Sequence, residues 1–508
     1  VPSSLLITMT VRVRYAPSPT GSPHVGNLRT AIYNWLLARK MGGTFVARLE
    51  DTDRDPSRYR PEAIAEIEES LRFLGIVPDE WWVSGGPYGP YVQSQRLHLY
   101  REAAEQLIAM GMAYRCYCTE ERLQEMRRRQ QEQGLPTGYD RRCRRLTAEE
   151  RSRYEKEGLP SVVRLAVPLE GTTAYHDEVY GDVSVENRTV DDQVLLKSNG
   201  WPTYHLAEVV DDHAQAITHV IRGEDWMPST PKHVMLFRAF GWPEPKWVHV
   251  PLILGKDRKK LSKRHGSTQF LDFVRAGYLP EALMNFLALL GWSAGEENRE
   301  LFTVQELVER FSLAGISKHP AVFDYDKLRW MNGEYIRSAP PERLLDLCIP
   351  FLQEEGLVGR PPSQEERTYA AKVIPLVTDR MRTLSDVGML AGFFFRDPDA
   401  PDEKGRRKWL SGSTALSILQ AAASTMAQLP DDFTPADAEN AVNHIAAGLN
   451  MERAPVIHTI RVAVTGRTVG PGLFETLAVL GRERVLRRLK RAQEWVHAEG
   501  ASLPSVPE

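Results

Sequence analysis

The chain has 508 residues, 42% of them hydrophobic and 26% charged, with a formal net charge of −3. A length of this order suggests about three to four domains, and every long apolar stretch is interrupted by charge, which argues against a membrane span of about 18 residues. Four cysteines in so long a chain, with no basic flank or cleavage pattern at its start, point to a reducing compartment rather than a disulfide scaffold.

Val1 to Thr8 reads as a short apolar extension, with Met9 placed to be the initiator. Val11 to Tyr15 then reads as a strand, Pro17 to Pro23 as a tight loop, and Gly26 to Met41 as a helix. Leu28, Ile32, Trp35, Leu36 and Arg39 are spaced for one buried face of that helix. Phe45 to Leu49 is a second strand, running into the acidic group Glu50-Asp51-Thr52-Asp53. Strand, helix and strand in this order predict a right-handed parallel unit with its ligand at the carboxyl ends of the strands, which puts Glu50 at the crevice mouth. From Tyr100 to Tyr204 the pattern is mixed and Arg-rich, with β-like pieces at Val162 to Leu165 and Gly181 to Val185. Parallel-sheet character returns at Ile217 to Arg222, followed by a helix from Thr230 to Phe240. The middle is therefore read as an insertion in a divided nucleotide-binding domain, closed by the loop Gly255 to Gly266. Beyond Leu271 the chain reads as helices, with Leu283, Phe286, Leu287 and Leu290 on one stripe and candidate boundaries at Ser338 to Pro341 and Gly359 to Ser363. Val485, Leu489, Ala492 and Val496 bury one side of a basic last helix. The resulting division is 9–99 with 205–254, 100–204, 255–337, and 338–508, the last with a candidate split near residue 400.

Two distant segments carry the chemistry. Ser22-Pro23-His24-Val25-Gly26-Asn27 sets an imidazole and an unhindered backbone at a helix start, and Lys259-Lys260-Leu261-Ser262-Lys263-Arg264 sets cations around a hydroxyl. Helix N-termini attract phosphate through N–H groups and the dipole, and ammonium groups offset charge developing at phosphorus. Together they suit a nucleoside triphosphate. The net charge hides basic clusters at Arg127 to Arg129, at Arg141, Arg142, Arg144 and Arg145, and from Arg482 to Arg491, any of which could be a solvated face or a nucleic-acid surface. Cys116, Cys118 and Cys143 can supply three legs of a tetrahedral zinc site; three buried reduced thiols are the alternative. Cys348 lies among apolar residues and reads as packed.

The run Arg14-Tyr15-Ala16-Pro17-Ser18-Pro19-Thr20-Gly21 into His24 resembles the HIGH motif of class I aminoacyl-tRNA synthetases, and Lys260-Leu261-Ser262-Lys263-Arg264 resembles their KMSKS motif. Gly89 to Ser94, Leu195 to Ala207 and Phe323 to Asn332 are similar to bacterial glutamyl-tRNA synthetases, a resemblance covering nearly the whole chain. It implies an α/β Rossmann-type catalytic domain with an inserted acceptor-binding α+β domain, followed by an all-α anticodon-binding region. The implied activity joins L-glutamate to the terminal adenosine of tRNA(Glu) through glutamyl-adenylate, with Mg2+ accompanying ATP and tRNA needed for efficient activation. In that scheme His24 and Lys263 are catalytic, and Ser18, Gly26, Asn27, Lys260, Ser262 and Arg264 join them around ATP. Asn27 replaces the final histidine of the first motif and offers an amide donor instead. Arg14 and Arg222 take the carboxylate end of glutamate, Glu50 its ammonium, and Ser18 and Tyr204 add hydrogen bonds; an ion pair of Arg222 with Glu224 or Asp225 is the competing reading. The resemblance also implies a structural zinc on Cys116, Cys118, Tyr139 and Cys143. It further implies acceptor-end contacts from Arg127 to Arg145, and Arg380, beside Arg382, reading an anticodon base as in enzymes that accept only the glutamate tRNA. A cytoplasmic monomer that binds no membrane is expected. Glutaminyl-tRNA synthetases end in β-barrels, whereas this C-terminal half is patterned for helices, and a relative that modifies a tRNA nucleoside lacks that half. A non-catalytic tRNA-binding protein is the rival from another class.

Overall fold

The structure, a computed structural model, describes residues 10–295 and 299–500; the Val1 to Thr8 extension and Met9 lie outside them. The described residues form two compact units. One runs through Arg275 and adds Pro280–Tyr325; the other takes Ala276–Leu279 and everything from Asp326 onward. The stretch 255–337, read from sequence as one domain, is thus shared between them, and Ser338 to Pro341 is only the turn between helices Tyr325–Ser338 and Pro341–Glu354.

Among its described residues the first unit contains eleven strands: β1 (Arg12–Tyr15), β2 (Thr44–Ala47), β3 (Ala113–Cys116), β4 (Val162–Leu165), β5 (Thr172–Asp177), β6 (Gly181–Glu186), β7 (Val194–Leu196), β8 (His219–Gly223), β9 (Lys246–Val250), β10 (Ile253–Leu254) and β11 (Ala321–Val322). Six of them make one sheet in the order β2-β1-β8-β9-β5-β6, parallel except for the β5–β6 hairpin at its edge. The chain leaves β1 toward β2 on one side and returns as β8 on the other, so the crevice at the carboxyl ends of β1 and β8 is a topological switch point, where open α/β sheets bind ligands. Strand β9 also pairs with β5, through Asp177 and Trp247. Residues 172–186 therefore belong to the main sheet, not to a separate inserted domain. What remains of the insertion is built on the antiparallel sheet β3-β4-β7.

The helix Val25–Lys40 is buried differently from what its spacing predicts: Tyr33, Asn34, Leu37 and Ala38 are covered beside Leu28, Ile32 and Leu36, while Trp35 and Arg39 stay partly exposed, Arg39 pairing with Asp79. The cause is packing on two sides, against β1 and β8 and against helices Pro280–Leu289 and Val304–Arg310. Tyr33 ties the layers by donating to the carbonyl of Leu290 at 2.8 Å.

The second unit is helical throughout its described residues. Its last helix, Arg482–Gly500, buries Val485, Leu489, Ala492 and Val496 as patterned. The basic residues on it are largely occupied: Arg488 is buried, donating to the carbonyls of Val464 and Phe393 and pairing with Asp397, while Arg487 pairs with the same carboxylate. These contacts tie the helix to the chain around Asp397, while Arg487 and Lys490 remain exposed. Cys348 is fully buried in helix Pro341–Glu354, and burial pushes its thiol up to about 12.

Candidate active site

Main-chain pairing fixes the crevice. Beyond β1 and β2 the register continues, with Arg48 N–H donating to Tyr15 O at 3.0 Å and Glu50 N–H to Pro17 O at 2.9 Å. On the other side Leu49 N–H meets Tyr91 O and Gln93 N–H meets Leu49 O, so the Gly89 to Ser94 segment extends the sheet locally. Glu50 is thereby held at the strand ends, 8% exposed. It lines a cavity of about 650 Å³ together with Arg14, Ser18, Asn27, Tyr204 and Arg222, six residues singled out from sequence.

The cavity wall is strongly charged. Helix Tyr204–Ala214 repeats polar groups at 204, 208, 211 and 212, which places them on one face. Arg14 pairs with Glu208 and, at 3.0 Å, with Asp212; Arg48, completely buried, reaches Glu208 at 2.8 Å, Asp212 at 3.0 Å and Glu50 at 3.4 Å. Asp211 pairs with Arg48 Nε at 3.5 Å and also accepts from Arg96, Tyr100 and Gln93. Arg14 is thus already engaged by two carboxylates, although its Nη1 has no hydrogen bond among the described residues. Burial first, and the nearby Glu208 second, push the Glu50 carboxyl well above the usual carboxylate range. Burial also opposes the charge of Glu208, but Arg14, a hydrogen bond from Glu50, and Arg48 outweigh it and hold Glu208 well below that range.

Arg222 is different. It is 5% exposed, and its Nε donates to His249 Nε2 at 3.1 Å, its Nη1 to Tyr204 Oη at 3.0 Å and His233 Nδ1 at 3.3 Å, and its Nη2 to Thr230 Oγ1 at 2.8 Å. Burial keeps both imidazoles neutral, lowering His249 and holding His233 well below its ordinary value. No carboxylate among the described residues lies within ion-pair distance of this guanidinium. The competing expectation of a surface pair with Glu224 or Asp225 is incorrect: Glu224 accepts from Tyr180 and from Leu252 N–H, and Asp225 pairs with Lys260. A buried charge is costly unless paired, and among the described residues this one has hydrogen-bond acceptors but no anion.

The two distant motif segments meet. Val25 N–H donates to Thr268 O at 3.0 Å and Phe270 N–H to Pro23 O at 2.9 Å, joining the His24 segment to the chain just after the lysine loop. His24 caps the helix, its Nδ1 accepting from Gly26 N–H at 3.0 Å. Burial, then the charge of Lys260, lowers its pKa, so the ring is neutral with its proton on Nε2, a donor facing outward from the cap. An added Cβ at Gly26 would stand 3.3 Å from that Nδ1, and glycine keeps the cap uncrowded. One expectation needs correction. The first four amides of the helix are all taken, by Thr268 O, His24 Nδ1 and His24 O, so unpaired N–H groups do not wait there for phosphate. Local chain geometry consumes them, and the dipole and the His24 ring remain.

The lysine loop is a folded turn. Leu254 and Lys260 pair across it, and the His265 ring, on Asp257 at 2.9 Å and Ser262 N–H at 3.1 Å, packs where a Cβ on Gly255 would collide at 2.5 Å. Lys260 is tied to Asp225 at 3.1 Å at the exit of β8. Lys263 and Arg264 are exposed, and neither lines the cavity in this arrangement.

Away from the cavity, Cys116, Cys118 and Cys143 bring their sulfurs within 4.8 Å of one another. Tyr139 Oη lies 3.3 Å from Cys116 and 3.4 Å from Cys118, and Cys118 is 3.5 Å from Cys143. A tetrahedral zinc with Zn–S bonds of about 2.3 Å needs sulfur separations of about 3.8 Å and sulfur–oxygen separations of about 3.5 Å. These side chains fit. Arg142 and Arg145 next to them are exposed, whereas Arg141 and Arg144 are drawn to Asp192 and Arg128 and Arg129 to Glu125. In the second unit Arg380 is exposed at the end of the turn Thr378–Arg380, and its charge helps lower the pKa of Arg461, after burial. Arg382 is only half-buried, with its Nη1 unbonded.

The family described as tRNA synthetases class I (E and Q), catalytic domain, matches residues 10–330, and an anticodon binding domain matches 343–493. The glutamate–tRNA ligase of Moorella thermoacetica is 47% identical over 96% of this chain and 98% of its own length. The chain belongs to the class I glutamate–tRNA ligase family. The ligase of Desulforudis audaxviator is 46% identical over 96% of the chain and 97% of its own. Among solved structures, a glutamate tRNA ligase from Elizabethkingia meningosepticum in complex with its amino acid superposes with a TM-score of 0.87 at 35% identity, covering 96% of this synthetase and 99% of that chain. The helical second unit agrees with this group, against the β-barrels expected of the glutamine enzymes. The residues that sequence reasoning missed are Arg48, Glu208 and Asp212. The local signal was Glu208 with the acidic pair Asp211-Asp212 in a helix whose interior is otherwise Leu206, Ala207, Val209 and Val210.

Proposed function

We propose that this synthetase ligates L-glutamate to the terminal adenosine of tRNA(Glu), with ATP and Mg2+ as the activating pair. The observation that carries the amino-acid choice is Arg222: a buried guanidinium with only neutral partners, in the same cavity as Glu50. A substrate with a carboxylate at one end and an ammonium at the other supplies the missing counter-charge to Arg222 and an ionised partner for Glu50. Glutamine would leave the buried guanidinium facing a neutral amide, which is how it is rejected.

The α-carboxylate of glutamate then attacks the α-phosphorus of ATP in line, the bond to the bridging oxygen breaks, and pyrophosphate leaves. The 2′-hydroxyl of the terminal adenosine next takes the acyl group and AMP departs. The protein positions the reactants and stabilises charge. His24 Nε2–H donates to a phosphate oxygen, Asn27 offers its amide at the cavity wall, and Lys263 swings in on its loop to meet charge on the leaving pyrophosphate, with Lys260 and Arg264 beside it. Cys116, Cys118, Cys143 and Tyr139 would hold a structural zinc, which would brace the loop bearing Arg142 and Arg145. Arg380 reads an anticodon base, and the protein works as a cytoplasmic monomer.

Aminoacylation with labelled glutamate and labelled glutamine, each on both tRNAs, tests this reading. Charging of the glutamate tRNA with glutamate alone is expected; glutamine transfer at a comparable rate would overturn the role of Arg222. ATP–pyrophosphate exchange should be negligible until tRNA is added.

A further inference from the structure

The geometry points to Asp177 and His249 as positioning residues for Arg222, acting by fixing which imidazole nitrogen carries the proton. Three neighbouring strands carry the three groups. Arg222 on β8 stands opposite His249 on β9, and Asp177 on β5 pairs beside Trp247 of β9. His249 Nδ1 lies 2.6 Å from Asp177 Oδ2, and Arg222 Nε donates to His249 Nε2 at 3.1 Å. Asp177 and His249 are 0% exposed and Arg222 5%.

The tautomer follows from the acceptors. A carboxylate can only accept, so Nδ1 must carry the hydrogen and Nε2 must offer its lone pair to Arg222. The other oxygen of Asp177 is held by two backbone donors, Val179 N–H at 3.0 Å and Tyr180 N–H at 2.9 Å, at the turn of the β5–β6 hairpin. Asp177 therefore cannot rotate away without stranding both amides. Neutrality of the ring, favoured by its burial, keeps a second positive charge away from the guanidinium. The relay leaves Nη1 of Arg222 on Tyr204 and His233 and Nη2 on Thr230, so the guanidinium plane is fixed from three sides.

This inference rests on the reading that Arg222 binds the substrate carboxylate. Replacing Asp177 by Asn separates the two. The Asn oxygen stays with the Val179 and Tyr180 amides, so its NH2 faces His249 Nδ1. That reverses the tautomer and sets an Nε2–H against the Arg222 Nε–H. Asp177→Asn should raise the KM for glutamate about tenfold or more, the scale of one charge-assisted hydrogen bond lost, with the KM for ATP unchanged. His249→Gln, whose amide oxygen still accepts from Arg222, should raise it less than His249→Leu. The backbone N–H of residue 249 also donates to Asp177 Oδ2, at 3.3 Å, in either background, but the imidazole contact is absent from His249→Gln, so adding Asp177→Asn to it should bring a clearly smaller rise than in the natural enzyme. Thermal midpoints of all variants report folding. An equal penalty from Asp177→Asn in the natural and His249→Gln backgrounds, or equal changes in both KM values, would mean that Asp177 only braces the hairpin, and would overturn the proposal. If Arg222→Ala itself leaves the glutamate KM unchanged, the parent reading has failed instead.

Discussion

Arg222→Ala is the most direct test of how this synthetase selects its amino acid. The guanidinium is almost wholly buried and meets only neutral acceptors, so its full charge is available to a ligand. At about 4 Å and an effective dielectric of about 20, attraction between two unit charges is about 4 kcal/mol. Truncating one partner of a buried pair costs about 3–5 kcal/mol. At about 1.4 kcal/mol per tenfold, kcat/KM for glutamate should fall by about two to three and a half orders of magnitude. The loss should appear chiefly in KM, because the charge is met in the ground state as well as in the transition state. The KM for ATP should hardly move. Arg222→Lys should recover only part of the loss, since an ammonium keeps the charge but not the planar fork that His249, Tyr204 and Thr230 orient. Steady-state aminoacylation, varying glutamate and ATP in turn, gives both constants, and thermal unfolding checks that the sheet survives. Equal rises in the two KM values would refute the argument, because they would place Arg222 in general support of the crevice.

Three further outcomes follow from other parts of the molecule. Lys263→Ala should slow activation about 10²-fold or more in single-turnover assays with tRNA present, the scale of one lost electrostatic contact to the transition state; unchanged kinetics would remove Lys263 from the chemistry. Glu50 should give glutamate binding a pH dependence. Burial and Glu208 keep the carboxyl protonated above the usual carboxylate range, while binding an ammonium requires the anion. The KM for glutamate should therefore fall as pH rises through that raised pKa and then level off, and Glu50→Gln should abolish the slope, which a KM–pH profile would show. Metal analysis should find about one equivalent of zinc per chain, lost in a Cys143→Ser variant along with thermal stability but with glutamate binding retained. Less than a tenth of an equivalent in the natural protein would leave the four side chains as a cluster without metal.

The parts of this molecule that could be read from sequence are those in which contiguous residues carry the chemistry. The His24 and Lys263 segments, the Cys116 to Cys143 spacing and the helical C-terminal half are each local strings, and class I architecture follows from them. Strand and helix positions such as Val162–Leu165 and Thr230–Phe240 were also legible, because hydrophobic periodicity is a local property. What pairs with what was not. Arg14 looked like an open carboxylate receptor, yet Glu208 and Asp212 already hold it, while Arg222, read as a second carboxylate receptor with a surface pair as the alternative, is buried without an anion among the described residues. Both outcomes depend on register between strands and helices far apart in the chain. The same holds for Asp177, which sits in a stretch read as part of an insertion and reaches the site only because the β5–β6 hairpin joins β9. Free helix amides failed for the reverse reason: Thr268 returns across the helix start and uses one of them. Sequence determined which groups the protein possesses; the fold decided which charges were left without a partner, and those are the ones a substrate can answer.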